Sequence, residues 1–396
     1  MNKIFLVLLC IYTFHTISSS QSDESTCYFF GHSLIDHRPP IIPTPSNETT
    51  VPHWLQLLAN HANKDFSASG KYGFLPQHAT QEVFSQWGYD IVTPAWESDY
   101  EDFSVADFST IFITAGNFIQ WQSHTEDYYS DPGISPLSAT LDIIDYVSPM
   151  EDSLKIIIYE NWPDMGGIAP NFPPNEDQLE NYYSFSEGEF HDWWIAYHND
   201  LDLNRPDLNI KMVPIGPMFA DLFQNTNLKD IPVTEIYEDN APHGRASLYF
   251  LASLASYIAI YEEKPPLDFE IPEIIHSTII EEYEAIIDRM WETCIGFTFD
   301  DGRNRVFTQN VISTVIENNT VDIAVFPNPT QSKLRVEGLG LQGEYRVMDI
   351  NGRIKLRGKI EGEKEWDISQ FPDGIYFIEI INSVGNEVYF EKIIKQ

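Results

Sequence analysis

The sequence predicts an α/β fold: a three-layer α/β/α sandwich around a parallel sheet, followed by a separate all-β module. Three observations carry this. Short apolar runs alternate with helix-length segments from Cys27 to about Gly296. Three of those runs are nearly continuously apolar, as in strands covered on both faces. Beyond about Val321 the pattern becomes short alternating runs broken by Asn-Gly, Asp-Gly and Gly-Asn turns.

The elements follow in order. The opening MNKIFLVLLCIYTFHTISSS has a lysine, a short apolar run and small polar residues, which reads as a signal peptide over 1–20. It is too short and too poorly flanked for a membrane anchor, and Leu8-Leu9 is a poor lead-in to a lipidated Cys10. No later segment is long and apolar enough to span a bilayer. A large domain is expected over 25–296, with strands at 27–30 (CYFF), 64–69 (KDFSAS), 109–115 (STIFITA), 154–160 (LKIIIYE) and 209–215 (NIKMVPI). Helices are expected at 52–63, 79–87, 135–148, 177–198, 218–224, 244–262 and 273–293. In such sheets ligands bind beyond the carboxyl ends of the strands. The polar, asparagine-rich stretch 297–320 reads as a linker, and 321–396 as the β-module.

The net charge of −37, from 60 acidic against 23 basic residues, repels nucleic acid and anionic lipid, so neither is expected as a partner. Aromatic residues make up 14% of the chain, enough to build a core and too many for an acidic disordered chain. Acidity with abundant Trp and Tyr suits a secreted protein meeting a neutral substrate such as a sugar. After processing two cysteines remain, Cys27 and Cys294; they form either one disulfide across the large domain or two buried free thiols.

Chemistry-bearing residues fall at the strand ends. In YFFGHSLID, Ser33 stands just past the first strand. A serine hydroxyl becomes a nucleophile only with a base to take its proton and donors for the oxyanion. Most histidines have structural explanations, since His53 and His61 lie at helical spacing and His191 and His198 flank DWWIAY. His243, in YEDNAPHGRASLYFL, enters a long apolar helix from a polar loop, with Glu238 and Asp239 just upstream to orient its imidazole. The alternative is a surface histidine beside a helix cap. Gly70, after the second strand in SASGKYG, leaves a backbone N–H open to a ligand, with Gly73 as second choice. Asn117, after the third strand in TAGNFIQW, offers an amide donor; otherwise both are turn residues. After the fourth strand, YENWPDMGG places Glu160, Trp162 and Asp164 at the rim, where an aromatic ring and carboxylates suit a sugar; otherwise this is a packed loop. Tyr72 and Trp121 are further candidate walls. No cluster has metal-ligand spacing, so neither a metal nor another cofactor is expected.

The order Ser33, Gly70, Asn117, His243 resembles the SGNH hydrolase superfamily, the GDSL-type esterases, over roughly 27–265. The resemblance implies a flavodoxin-like fold and a serine esterase: Ser33 nucleophile, His243 base, Asp239 the acid with Glu238 as fallback. It implies an oxyanion hole from the backbone N–H groups of Ser33 and Gly70 and the Asn117 side chain. The blocks depart from the family pattern in three places. His32 stands where aspartate is common, no aspartate follows Asn117, and Asp239 lies four rather than three residues before His243. A degenerate fold of this kind serving as a non-catalytic surface-binding protein is the alternative. The tail, with FPNP (326–329), DINGR (349–353), FPDGIYFIEI (371–380) and a basic KIIKQ end, resembles the C-terminal sorting domain of type IX secretion. That implies an Ig-like β-sandwich, the secretion machinery as partner and a surface or extracellular destination. A small-molecule or glycan ester, with O-acetyl groups preferred, is the expected substrate.

Overall fold

The computed structural model describes residues 24–80, 88–116, 121–151, 153–308, 324–337, 342–349, 353–382 and 387–396. The signal peptide, most of the helix expected at 79–87, Asn117 and the stretch 309–320 lie outside these. The chain divides into two compact units, up to Val311 and from Ile312.

In the first unit the order is β1 (Glu24–Gly31), α1 (Val51–His61), β2 (Asp65–Tyr72), α2 (Leu75–His78), β3 (Thr110–Ile113), α3 (Pro136–Val147), β4 (Lys155–Glu160), α4 (Glu176–Glu187), α5 (Glu189–Asn204), β5 (Lys211–Pro214), α6 (Ile215–Asn225), α7 (Val233–Ile236), α8 (Ala246–Tyr261), α9 (Ser277–Glu281) and α10 (Tyr283–Gly296). The five strands form one parallel sheet in the order β2-β1-β3-β4-β5. All five expected strands are present. The chain reverses direction across the sheet between β1 and β3, and their carboxyl ends are where such a sheet binds ligands.

Two apolar cores flank the sheet, as alternation of side chains along each strand requires. Cys27, Phe29, Phe112, Ile157 and Val213 face one, closed by α1, α6, α8 and α10. Tyr28, Phe30, Ile111, Ile113 and Ile158 face the other, closed by α3 and α5. The helix α8 is buried along its whole length, which explains its nearly uninterrupted apolar sequence. Cys27 and Cys294 are both free and buried. Burial pushes the Cys27 thiol up to about 12, against the opposing bond from Ser25.

Three boundaries differ from expectation. The single helix expected at 177–198 is two, because Gly188 adopts φ −100° and ψ −111° and ends one helix while starting the next. The helix expected from 273 begins in full only at Tyr283, after the short α9. Residues 297–308, expected as linker, pack on the first unit. Val306 and Phe307 are buried, and Met212 of β5 donates its N–H to the Arg305 carbonyl at 2.7 Å.

The second unit holds β6 (Ala324–Phe326), β7 (Lys333–Glu337), β8 (Gln342–Asp349), β9 (Ile354–Glu361), β10 (Lys364–Asp367), β11 (Gly374–Asn382) and β12 (Glu387–Lys395). They form two antiparallel sheets, β10-β7-β6 and β12-β11-β8-β9, around an apolar core that includes Leu334, Val336, Trp366, Ile378 and Ile393.

Candidate active site

The carboxyl end of β1 turns sharply. Ile35 and Asp36 donate their N–H groups to the His32 carbonyl at 2.9 and 3.1 Å, folding the chain back over the strand. Gly31 permits this: a Cβ there would lie 2.7 Å from the Ile35 side chain. Ser33 sits half-buried on this turn, and its carbonyl accepts the Tyr249 hydroxyl at 2.6 Å. Its own hydroxyl makes no hydrogen bond among the described residues.

His32 is the anchor of the turn. Its ring is buried, with Nε2 donating to the Ala115 carbonyl at 3.0 Å and Nδ1 accepting from Leu34 N–H at 3.3 Å. Burial lowers this imidazole to about 4, against the Ala115 bond, and charge on His243 pushes the same way. Asn161, also buried, donates to the Ala115 carbonyl at 2.6 Å and to Thr114 Oγ1 at 2.8 Å. The ends of β1, β3 and β4 are thereby tied beneath Ser33.

The second element is the loop 237–244, closed at its base by a bridge between Tyr237 and Gly244. Glu238 N–H donates to the His243 carbonyl at 2.8 Å. Inside the loop, Asp239 Oδ2 accepts from His243 Nδ1 at 2.7 Å. The other Asp239 oxygen accepts the N–H groups of Ala241 and His243, both at 3.0 Å. Burial raises the Asp239 carboxyl, but these bonds outweigh it and hold the group below its usual range. With Nδ1 engaged as donor, Nε2 of His243 is left as the acceptor.

Glu238 does something else. Its side chain, 1% exposed, accepts from His37 Nε2 at 2.9 Å and from the N–H groups of Ile41 and Ile42 at 2.9 and 3.3 Å. It pins the 37–42 segment, while Asp239 is the partner of His243.

Ser33 and His243 share one edge of the sheet. Tyr249, at the start of α8 just past His243, reaches the Ser33 carbonyl, and His37, on the serine turn, stacks on the His243 ring. No hydrogen bond joins Ser33 Oγ to His243 Nε2 among the described residues. Asp164 completes the edge. It accepts Gly166 N–H at 2.6 Å, and burial first, then the negative charge of Asp239, raises its carboxyl.

Other expected residues stand elsewhere. Gly70 is inside β2, paired with Phe29, because the strand runs on to Tyr72. Ala68 N–H points outward to the Thr93 carbonyl, and Gly70, two residues on, faces the same way, away from Ser33. Gly73 spends its N–H on the Gly31 carbonyl at 2.9 Å. Trp162 is 1% exposed and donates its indole N–H to the Pro242 carbonyl at 2.9 Å, so it buttresses the histidine loop rather than forming a wall. Glu160 is buried in a 2.7 Å pair with His191. Tyr72, opposite Gly31 at the strand end, is 55% exposed, and Trp121, packed over Gly167, is 64% exposed. Among the described residues no cluster of three or more His, Cys, Asp or Glu could hold a metal. Sequence reasoning missed His32, His37, Asn161 and Tyr249. Only the adjacency of His32 to Ser33 marked any of them.

A known family, described as the secretion system C-terminal sorting domain, matches residues 324–396. The chain carries a type IX sorting tail. The tail makes the secretion machinery a partner and the cell surface or extracellular space the destination. No helix among the described residues is long and apolar enough to cross a membrane. No curated protein matches the chain.

Proposed function

We propose that the first unit is an exported serine esterase of SGNH type. The observation that carries this reading is the Asp239–His243 pair, bonded at 2.7 Å, on the sheet edge shared with the Ser33 turn. In the reaction, His243 Nε2 takes the proton of Ser33 Oγ as the oxygen attacks the ester carbonyl. The Ser33 N–H and the Asn117 amide stabilise the oxyanion. Collapse expels the alcohol with the proton from His243 and leaves an acyl group on Ser33. Water, deprotonated by the same imidazole, then releases the acid. Asp239 keeps the imidazole in the Nδ1–H tautomer and stabilises its cation. Gly70 has no part in this scheme, since its amide faces away from Ser33. A small acyl group on a carbohydrate is the substrate class we assign, from surface export and the exposed Tyr72 and Trp121 beside the edge.

A second reading is an inert surface-binding domain. The missing hydrogen bond between Ser33 and His243 is on its side, although such bonds commonly tighten only with substrate present. The test is hydrolysis of p-nitrophenyl acetate and of an acetylated glycan by the wild type and Ser33→Ala. Turnover by the wild type alone supports the esterase; equal turnover by both removes Ser33 from the chemistry.

A further inference from the structure

The base imidazole lies face to face with a second one. The His37 and His243 rings have centroids 4.1 Å apart and planes 7° from parallel. His37 belongs to the serine turn and is fixed from several sides. Its Nε2 donates to Glu238 at 2.9 Å, its N–H to the Thr49 carbonyl at 3.0 Å, and its carbonyl accepts the Thr49 hydroxyl at 2.6 Å. Successive carboxylates thus serve the two stacked rings, Glu238 for His37 and Asp239 for His243.

The bond to Asp239 holds one nitrogen of His243 but leaves the ring free to rock about that bond. A rigid flat surface on its face removes this freedom, and small misplacements of a catalytic group are costly. Burial and the neighbouring His243 charge hold His37 below the usual imidazole range, against Glu238 and Asp239. We propose that His37 is a positioning residue: its ring fixes the plane of His243, so the turn that presents the nucleophile also aligns the base. The catalytic half of this rests on His243 being the base; the contact itself does not.

Two variants separate the ring from its tie. His37→Phe keeps a flat ring and loses the donor to Glu238, whereas His37→Gln keeps a donor and loses the ring. The full-length mature protein is labelled with ¹⁵N-histidine, and the His243 resonances are assigned by their loss in His243→Gln. The wild type and His37→Phe should show one His243 tautomer with an exchange-protected Nδ1 proton. In His37→Gln that proton should broaden or vanish, and kcat on p-nitrophenyl acetate should fall about tenfold with KM unchanged. Unaltered His243 resonances in His37→Gln overturn the proposal, as does an equal loss in His37→Phe. His37→Met, flexible and ringless, replaces His37→Gln if the latter does not fold. If no form turns over the ester, the esterase reading fails while the resonances still decide the role of His37.

Discussion

Asp239 and Glu238 are adjacent acids, and exchanging each for its amide should give opposite results. Asp239→Asn presents an amide to His243 Nδ1 in place of a carboxylate that accepts three hydrogen bonds, so the imidazole tautomer is no longer enforced. Loss of a fully buried triad aspartate of this kind costs about 10⁴-fold in kcat. The Asp239 side chain is 32% exposed, and water replaces part of its effect. The expected loss is therefore about 10³-fold, or ~4 kcal/mol of transition-state stabilisation. Glu238→Gln should leave kcat within a factor of about three, a difference of ~0.7 kcal/mol. Its cost falls on stability: a glutamine offers one acceptor oxygen to three donors and turns an NH₂ group toward the rest. A buried donor left unpaired costs about 1–3 kcal/mol. The assay pairs steady-state hydrolysis of p-nitrophenyl acetate with urea unfolding of both variants. A loss of kcat in Glu238→Gln equal to that in Asp239→Asn would refute the assignment of the acid.

Asn117→Ala should lower kcat about 10²–10³-fold with little change in KM, and a change confined to KM would make Asn117 a substrate-positioning group. Acid should destabilise the first unit between pH 6.5 and about 4. His32 is held at about 4, and His78 and His198 at about 3, by burial against an ordinary 6.5. The unfolded chain protonates these rings first, so stability falls as pH drops, by up to ~1.4 kcal/mol per histidine per pH unit. His37 and His53, also lowered by burial, add to the loss, while Asp36, raised by burial to about 6 against its bond to Arg38, and the burial-raised carboxyls of Asp164, Glu160 and Glu187 work the other way. Equal unfolding free energies at pH 7 and pH 5 would contradict this. Deletion of residues 324–396 should abolish surface display, read by protease accessibility on intact cells, and undiminished display would contradict the role of the tail.

The strands were legible because burial on both faces forces long apolar runs such as KIIIYE, and the sorting tail because hairpin turns demand particular residues. The strand order was not legible, since nothing in a single strand names its neighbours. At the site, the pairing of an upstream acid with His243 could be read because the two lie close to one another along the chain. The choice between Asp239 and Glu238 could not. It depends on Ile41 and Ile42 folding back onto Glu238, a contact across nearly 200 positions. Gly70 was misplaced because KDFSAS looks complete as a strand, yet pairing with Phe29 to Gly31 carries it to Tyr72. Trp162 and Glu160 were read as rim residues from their position at the end of β4 and just past it. Their burial comes from Pro242 and His191, which no local pattern connects to them.

The proposed chemistry depends on Ser33 being a nucleophile activated by His243. The most direct measurement is mass spectrometry of the mature protein after treatment with a fluorophosphonate, on the wild type, Ser33→Ala and His243→Gln. One adduct is expected on the peptide containing Ser33 in the wild type, and none in either variant. An unlabelled Ser33 in a protein that hydrolyses p-nitrophenyl acetate, or equal labelling in His243→Gln, would contradict it.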